Sequence, residues 1–418
     1  MIAFDILTVK VAIISSFIFF KVRFHLSQNL SYFPVFLTTA KQIHQNSLLL
    51  PMNVDYLIVG QGLAGTLLAF ELFKSNKSFV VFDDPDQHKA SAVAAGIINP
   101  VVFRRMTKSW LVDDAFPRME KTYRQLEVLL KEELYYPGRM MRLLSEEGVV
   151  FWKEKAFANQ LKTYIDAEPN LNFRNSNITN NYSFGCVNKS GRLDIQKLIS
   201  AFSEFLTRQN SLRKVNFDFE KLSIKADLVS YNDITAEKII FCEGPSADQN
   251  PFFKNLKFKH SKGEILELKI PEFNMNEIIS DEVFVAPVGN DRYKVGATYT
   301  WDALNRETTD SAREELLAKF KKITPLIHEM ISQKAGIRPT MHDRKPVIGF
   351  HPEYPSIGIF NGLGSKGVVI GPYFARQLAD YLVGTSGFIH PEADIKRYFP
   401  SSDQGAKKRI SRFGFEKL

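Results

Sequence analysis

Between residues 55 and 83 the apolar positions change period twice. DYLIVG (55–60) is an unbroken apolar run with β-branched residues, the pattern of a strand buried on both faces of a parallel sheet. AGTLLAFELFKS (64–75) resumes at helical spacing, and SFVVFDD (78–84) is a second buried run. Farther on, DDAFPRMEKTYRQLEVLLKEEL (113–134) has helical periodicity with one polar face. EVFVAPVGNDRYKVGATY (282–299) reads as two strands around a Gly-Asn-Asp turn. SAREELLAKFKKI (311–323) opens with a capping box, Ser311 and Glu314. The stretch 359–384 reads as a strand, a glycine-rich turn and an amphipathic helix that stops at Gly384. A buried strand, a helix and a second buried strand in succession put the chain in the α/β class, with a Rossmann-like parallel sheet.

Composition narrows the function classes. The 418 residues suffice for two domains, and 44% apolar with 24% charged residues is ordinary for a globular chain. The formal charge of +8 is spread along the chain, apart from a basic tail, KKRISR, within 401–418. No arginine-rich block, aromatic RNA-binding motif or zinc-finger spacing accompanies it. This argues against a nucleic-acid partner and fits attraction of anionic small molecules. Cys186 and Cys242 are far apart in sequence and the eight histidines are scattered, so neither a disulfide framework nor a metal site is expected.

The N-terminal stretch stands apart. VAIISSFIFF (11–20) is about half the roughly 20 residues that span a bilayer, and Lys10 and Asp5 precede it. No small-x-small cleavage site follows, and no sustained period appears before Pro51. Residues 1–51 are therefore expected to lie outside the fold, as an over-extended start or, alternatively, a weak signal or anchor. A cytoplasmic protein is expected, with membrane association only through this segment.

The apolar run ending at Gly60 carries a dinucleotide signature. Gly60, Gly62 and Gly65 form G-x-G-x-x-G, enclosing Leu63 and Ala64. The first glycine allows the tight turn, the second lets a pyrophosphate approach the backbone, and the third lets helix pack on strand. The helix N-terminus faces the phosphates, and Asp83, ending the second run, stands where an acid accepts the ribose hydroxyls. This signature does not separate NAD from FAD.

The next segment does. HKASAVAAGIINP (88–100) holds Ser91, Ala94, Ala95 and Gly96. It resembles the Ser-x-x-Ala-Ala-Gly segment of the D-amino-acid oxidase and glycine/sarcosine oxidase family of FAD-dependent oxidoreductases. The resemblance runs from Asp55 to about Ile395. GRLDIQKLISAFSEFL (191–206) resembles that family's helix start, and AEKIIFCEGPSA (236–247) its third FAD segment, ending at Gly244. That turn is usually small-small-Gly; here it reads Cys242-Glu243-Gly244, with a larger residue in the middle. KGEILEL (262–268) resembles the strand leading back into the substrate domain.

The resemblance also implies roles. Arg338, in AGIRP (335–339), would hold a substrate carboxylate, for which a planar guanidinium is better suited than an ammonium. Gly364, Ser365, Lys366 and Gly367 would lie against the flavin, with Lys366 near its N1/C2=O edge. No cysteine occurs within 336–341, so FAD would be held non-covalently. Tyr293 and Tyr299 are candidates for reaching the substrate.

The implied architecture is a Rossmann-like FAD-binding domain (52–110, 185–260 and 336–400) plus an α+β substrate domain (111–184 and 261–335) whose antiparallel sheet roofs the flavin. The implied reaction is hydride transfer from the carbon bearing the amine of a small amino acid or secondary amine to flavin N5, with oxygen or another acceptor reoxidising the flavin. Open alternatives are a dehydrogenase passing electrons to a quinone or carrier, a 2-hydroxy-acid dehydrogenase and a non-catalytic flavin-binding module. A chain starting at Met52 is expected to be soluble and yellow. Purification and an absorbance spectrum check this, and an insoluble product would count against dispensability of residues 1–51.

Overall fold

The structure, a computed structural model, describes residues 52–86, 89–171, 177–179, 183–225 and 227–399. The expected N-terminal extension (1–51) and basic tail (401–418) lie outside the described residues. Two eight-stranded sheets organise them. The first runs Val347–Phe350, Ile357–Asn361, Ile234–Phe241, Met52–Val59, Phe79–Phe82, Leu212–Arg213, with Leu228–Tyr231 and Leu222–Lys225 attached as a hairpin beside Ile234–Phe241. Met52–Val59 pairs in parallel with Phe79–Phe82, and Ile234–Phe241 in parallel with Ile357–Asn361. Phe79–Phe82 and Ile357–Asn361 are buried throughout, and the other two become so toward their C-terminal ends.

Two helices lie together against this sheet, Leu63–Lys74 and Gly367–Leu382. Their approach depends on glycine: a Cβ at Gly371 would sit 2.8 Å from Leu67 Cδ1. The helix expected over 113–134 runs over Val112–Leu130 and ends where Lys131 turns left-handed. None of the helices among the described residues is long and apolar enough to cross a membrane.

The second sheet runs Glu329–Arg338, Ser261–Lys269, Arg292–Gly296, Phe284–Gly289, Ile278–Ser280, Tyr135–Leu144, Ser183–Leu193, Ile97–Ile98. It is antiparallel except where Ile278–Ser280 meets Tyr135–Leu144. The hairpin read at 282–299 is present, and Asn290 and Asp291 both take the positive φ that a two-residue turn requires. Period two assigns the faces. Leu266, Leu268, Val285, Tyr293 and Val295 pack with Leu316, Phe320 and Ile323 of the helix Asp310–Ile323. Gly263, Ile265, Phe284 and Gly296 occupy the other parity. The edge strand Glu329–Arg338 pairs with Ser261–Lys269 from Arg338 opposite Ser261 onward, with a bulge at Glu267/Leu268.

The capping box expected at Ser311 and Glu314 is replaced by a cap two residues earlier. Thr309 is the N-cap, its hydroxyl oxygen accepting from Ala312 N at 3.2 Å. Glu264, buried in the sheet, selects this start by accepting from both the Thr309 N–H and its hydroxyl, at 3.0 Å each. The same carboxylate pairs with buried Lys262 at 3.5 Å and accepts from Gln333 at 2.7 Å. Thr309→Ala should therefore cost at least about 1 kcal/mol, the usual value of an N-cap, because Glu264 also loses a donor. Ser311→Ala should stay within about 0.5 kcal/mol, as at most surface positions. Urea unfolding of the two variants checks the order.

Candidate functional site

The glycine turn assigns a different task to each glycine. Gly60 takes φ +97°, and a Cβ there would lie 2.6 Å from the Cys242 carbonyl oxygen. A Cβ at Gly65 would fall within the van der Waals envelope of the Gly60 carbonyl oxygen, so helix and strand meet backbone to backbone. A Cβ at Gly62 would meet only Ser91 Oγ, at 3.6 Å, and would otherwise project into open space. That space is a cavity of about 450 Å³ between the glycine turn and the second sheet, within the range of cofactor and ligand sites. Gly62 is also the N-cap of Leu63–Lys74 and offers no side chain to the first turn. Leu63 N donates to Ser91 Oγ at 3.2 Å. A helix N-terminus whose N-cap residue has no side chain, opening on a cradle that a Cβ would fill, fits a pyrophosphate.

The cavity gathers most of the residues singled out from the sequence. Gly60, Gly62, Leu63, Ala64, Ser91, Ala95, Gly96, Gly244, Arg338, Gly364, Ser365, Lys366 and Gly367 line it. Gly65 and Asp83 do not. Gly65 lies beneath the turn for the packing reason given above. Asp83 is 6% exposed, accepting from Gln61 N at 2.9 Å and bound by Lys89 Nζ at 2.5 Å. Lys89 is the one of this pair that reaches the cavity wall.

Arg338, on the cavity wall, ends the edge strand. Its guanidinium lies over Gly263, where a Cβ would collide with both terminal nitrogens. It also stacks on Tyr299, with Cζ 4.2 Å from the ring centroid. Its side-chain hydrogen bonds are two long ones, 3.5 Å each, to the Thr298 carbonyl. No carboxylate pairs with it among the described residues, and burial lowers its pKa. A fork of this kind, desolvated and without an anion, has the geometry and charge to accept a carboxylate.

The two tyrosine candidates separate. Tyr299 lines the cavity and is 54% exposed, whereas Tyr293 is 5% exposed and packs edge-to-face on Phe273 in the core under Asp310–Ile323. Lys366 caps the helix Gly367–Leu382, and its ammonium donates to the Asn99 carbonyl at 2.8 Å. Burial pulls its pKa down to about 8. It holds its charge at neutral pH and loses it as pH rises through that value.

Three residues that shape the site carried no role in the sequence reading: Gly263 behind Arg338, and Asn99 and Glu243 on the cavity wall. Gly263 makes room for Arg338, and its only signal is a glycine inside a strand. Asn99 anchors Lys366 through its backbone, which carries no sequence signal. Glu243 faces the cavity from the third segment, and burial pushes its carboxyl up to about 8.

The glycines generate a contrast. Gly62→Val should fold with an apoprotein Tm close to that of the unaltered protein but purify without flavin. Gly65→Val should lower the Tm itself, since overpacking a fixed backbone contact costs on the order of 1–3 kcal/mol or more. Flavin absorbance and thermal unfolding of both variants distinguish the two tasks.

Comparison with known proteins agrees with this geometry. The model of the family described as DAO, FAD dependent oxidoreductase, matches residues 55–381. An uncharacterized oxidoreductase of Bacillus subtilis, YurR, is 21% identical over 378 residues, covering 83% of this chain and 98% of its own. The glycine oxidase of Bacillus subtilis is 24% identical over 365 residues, covering 79% and 93%. The crystal structure of glycine oxidase from Bacillus cereus superimposes with a TM-score of 0.67 at 19% identity, covering 80% of this chain and 96% of that one. The chain belongs to the DAO family of FAD-dependent oxidoreductases.

Proposed function

We propose that the protein oxidises the C–N bond of a small amino acid or secondary amine bearing a carboxylate. The observation that supports this most is Arg338, a guanidinium on the cavity wall with no acid partner among the described residues. Its counter-charge is to be supplied by the substrate.

In this reading Gly60, Gly62, Leu63, Ala64, Ser91, Ala95, Gly96 and Gly244 hold the dinucleotide, Asp83 acts on it through Gln61 and Lys89, and Gly364–Gly367 flank the flavin ring. When bound, FAD supplies the acceptor for a hydride from the carbon that bears the amine, and the resulting imine hydrolyses in water. What the chain contributes is position. Arg338 fixes the carboxylate, and Tyr299 keeps the guanidinium from turning away. Gly263 lets the fork lie flat on the sheet. Lys366 contributes positive charge at a helix N-terminus. No histidine lines the cavity among the described residues. That suits a reaction governed by alignment more than by a general base. Oxygen or another acceptor takes the electrons onward.

The test is an anaerobic screen of amino acids, secondary amines and 2-hydroxy acids for bleaching of the bound flavin. Amine substrates should bleach it, and bleaching by hydroxy acids alone would replace the amine reading. On the best substrate, Arg338→Lys should lower kcat/KM on the order of 10- to 100-fold, since hydrogen bonds to charged groups are worth roughly 1.5–3 kcal/mol. Arg338→Met should lower it further, because a desolvated carboxylate is left without a partner. Flavin content should be unchanged in both, and an analogue lacking the carboxylate should react alike with both variants and the unaltered protein. Equal rates for Arg338→Met and the unaltered protein on a carboxylate substrate would overturn this role.

A further inference from the structure

Glu243 stands where the resembling segment has a small residue, and the structure points to a use for it. The strand Ile234–Phe241 runs into Cys242, whose N–H donates to Val59 O at 2.7 Å. This docks the Cys242-Glu243-Gly244 turn on the glycine turn, and a Cβ at Gly60 would lie 3.3 Å from Glu243 Cα. Glu243 therefore borders the cavity next to the turn that receives the pyrophosphate. Its Oε2 accepts from Asn250 Nδ2 at 2.7 Å, and Asn250 is fixed in turn, 1% exposed, with Oδ1 accepting from Phe252 N. No cation pairs with Glu243 among the described residues.

The charged groups around it are accounted for. Asp248, on the same turn, adds negative potential, and Cys242 is a buried thiol pushed well up by burial. His260, leading into Ser261–Lys269, faces Asp248 at 3.7 Å, and burial lowers its pKa. Asp83 and Lys89 neutralise one another beside the glycine turn. Arg338 and Lys366 line other parts of the same cavity.

An ionised carboxylate at this place would repel an anionic dinucleotide, whereas a protonated one has a hydrogen to donate. We propose that Glu243 helps hold FAD as a hydrogen-bond donor, so that the protein holds its cofactor less tightly when this carboxyl ionises.

The direction of the pH effect follows from linkage. Burial, the largest cause, moves the carboxyl from the ordinary 4.5 to about 8, with Asn250 opposing and Asp248 reinforcing. The negative charge of FAD raises it further, so below pH 8 the cofactor meets a group already protonated. Above that, binding takes up a proton, and the Kd rises by up to about tenfold per pH unit.

The experiment is titration of the apoprotein with FAD, followed by flavin fluorescence between pH 6.5 and 9.5. It rests on the family's cofactor and needs no substrate, so it stands or falls apart from the amine reading. Lys366 also loses charge near pH 8, so the series is run in Lys366→Met as well. The Kd should be flat to about pH 8 and then climb about tenfold by pH 9 in both backgrounds. In Glu243→Gln, which keeps shape and a donor, the climb should shrink at least threefold. Asn250→Ala, by removing the group that steadies the ionised form, should move the break to higher pH. Proton uptake on FAD binding at pH 8.5 in the Lys366→Met protein reads the same event without altering Glu243. An unchanged pH profile in Glu243→Gln, or no proton uptake, would overturn the proposal.

Discussion

The contact between Gly65 and the Gly60 carbonyl is the constraint from which the cavity follows. Because the helix Leu63–Lys74 meets its strand backbone to backbone, the N-terminus of that helix sits at the end of the first sheet with nothing between. The same turn is pressed from the other side by the Cys242 carbonyl, so two neighbouring strands converge on one pair of peptide groups. Gly371 then admits Leu67 and brings in the second helix, whose N-terminus carries Lys366. A side chain at Gly60 or Gly65 would wedge these pieces apart, since what it meets is backbone. Close packing transmits such a wedge instead of absorbing it.

The charges around the cavity are arranged by how each is compensated. Asp83 and Lys89 neutralise one another at the glycine turn. Arg338 has an aromatic face and a carbonyl but no anion among the described residues, and Lys366 has a carbonyl alone. Desolvation leaves both cations in need of negative charge. In the proposed reading a carboxylate substrate and the anionic cofactor answer that need. Glu243 is the converse case, a carboxyl buried without a cation and held up toward its neutral form. The cavity thus holds positive charge in reserve while Glu243 on its wall has its charge withheld.

Much of this was legible in the sequence where the signal is contiguous. Strand, glycine turn, helix and second strand follow one another within thirty-odd residues, and each glycine's task follows from its place in the motif. Arg338 and Lys366, which both line the cavity, were singled out through resemblance alone, since nothing in their immediate neighbours says what they face. Tyr293 and Tyr299 could not be told apart, because Tyr299 lies past the end of its strand, where alternation no longer reports the face. The helix start at Thr309 was missed because the decision is made by Glu264, 45 residues away, and not by the Ser-x-x-Glu pattern beside it. Glu243 was visible as a departure from the family's pattern. Its protonation, however, depends on Asn250 and on burial that only the folded chain creates.

The bulge at Glu267/Leu268 makes the aim of Arg338 a question of strand register. From the bulge to Ser261 the edge strand is locked residue for residue to its neighbour, so Arg338 emerges on the face shared with Gly263. A one-residue slip in that stretch would exchange the two faces and turn the guanidinium into the apolar layer under Asp310–Ile323. A change in length on the far side, around Glu329 and Met330, meets the irregular step first and can be taken up there. Evolution can thus lengthen or shorten the start of this strand without redirecting its end, and the bulge serves as the molecule's expansion joint.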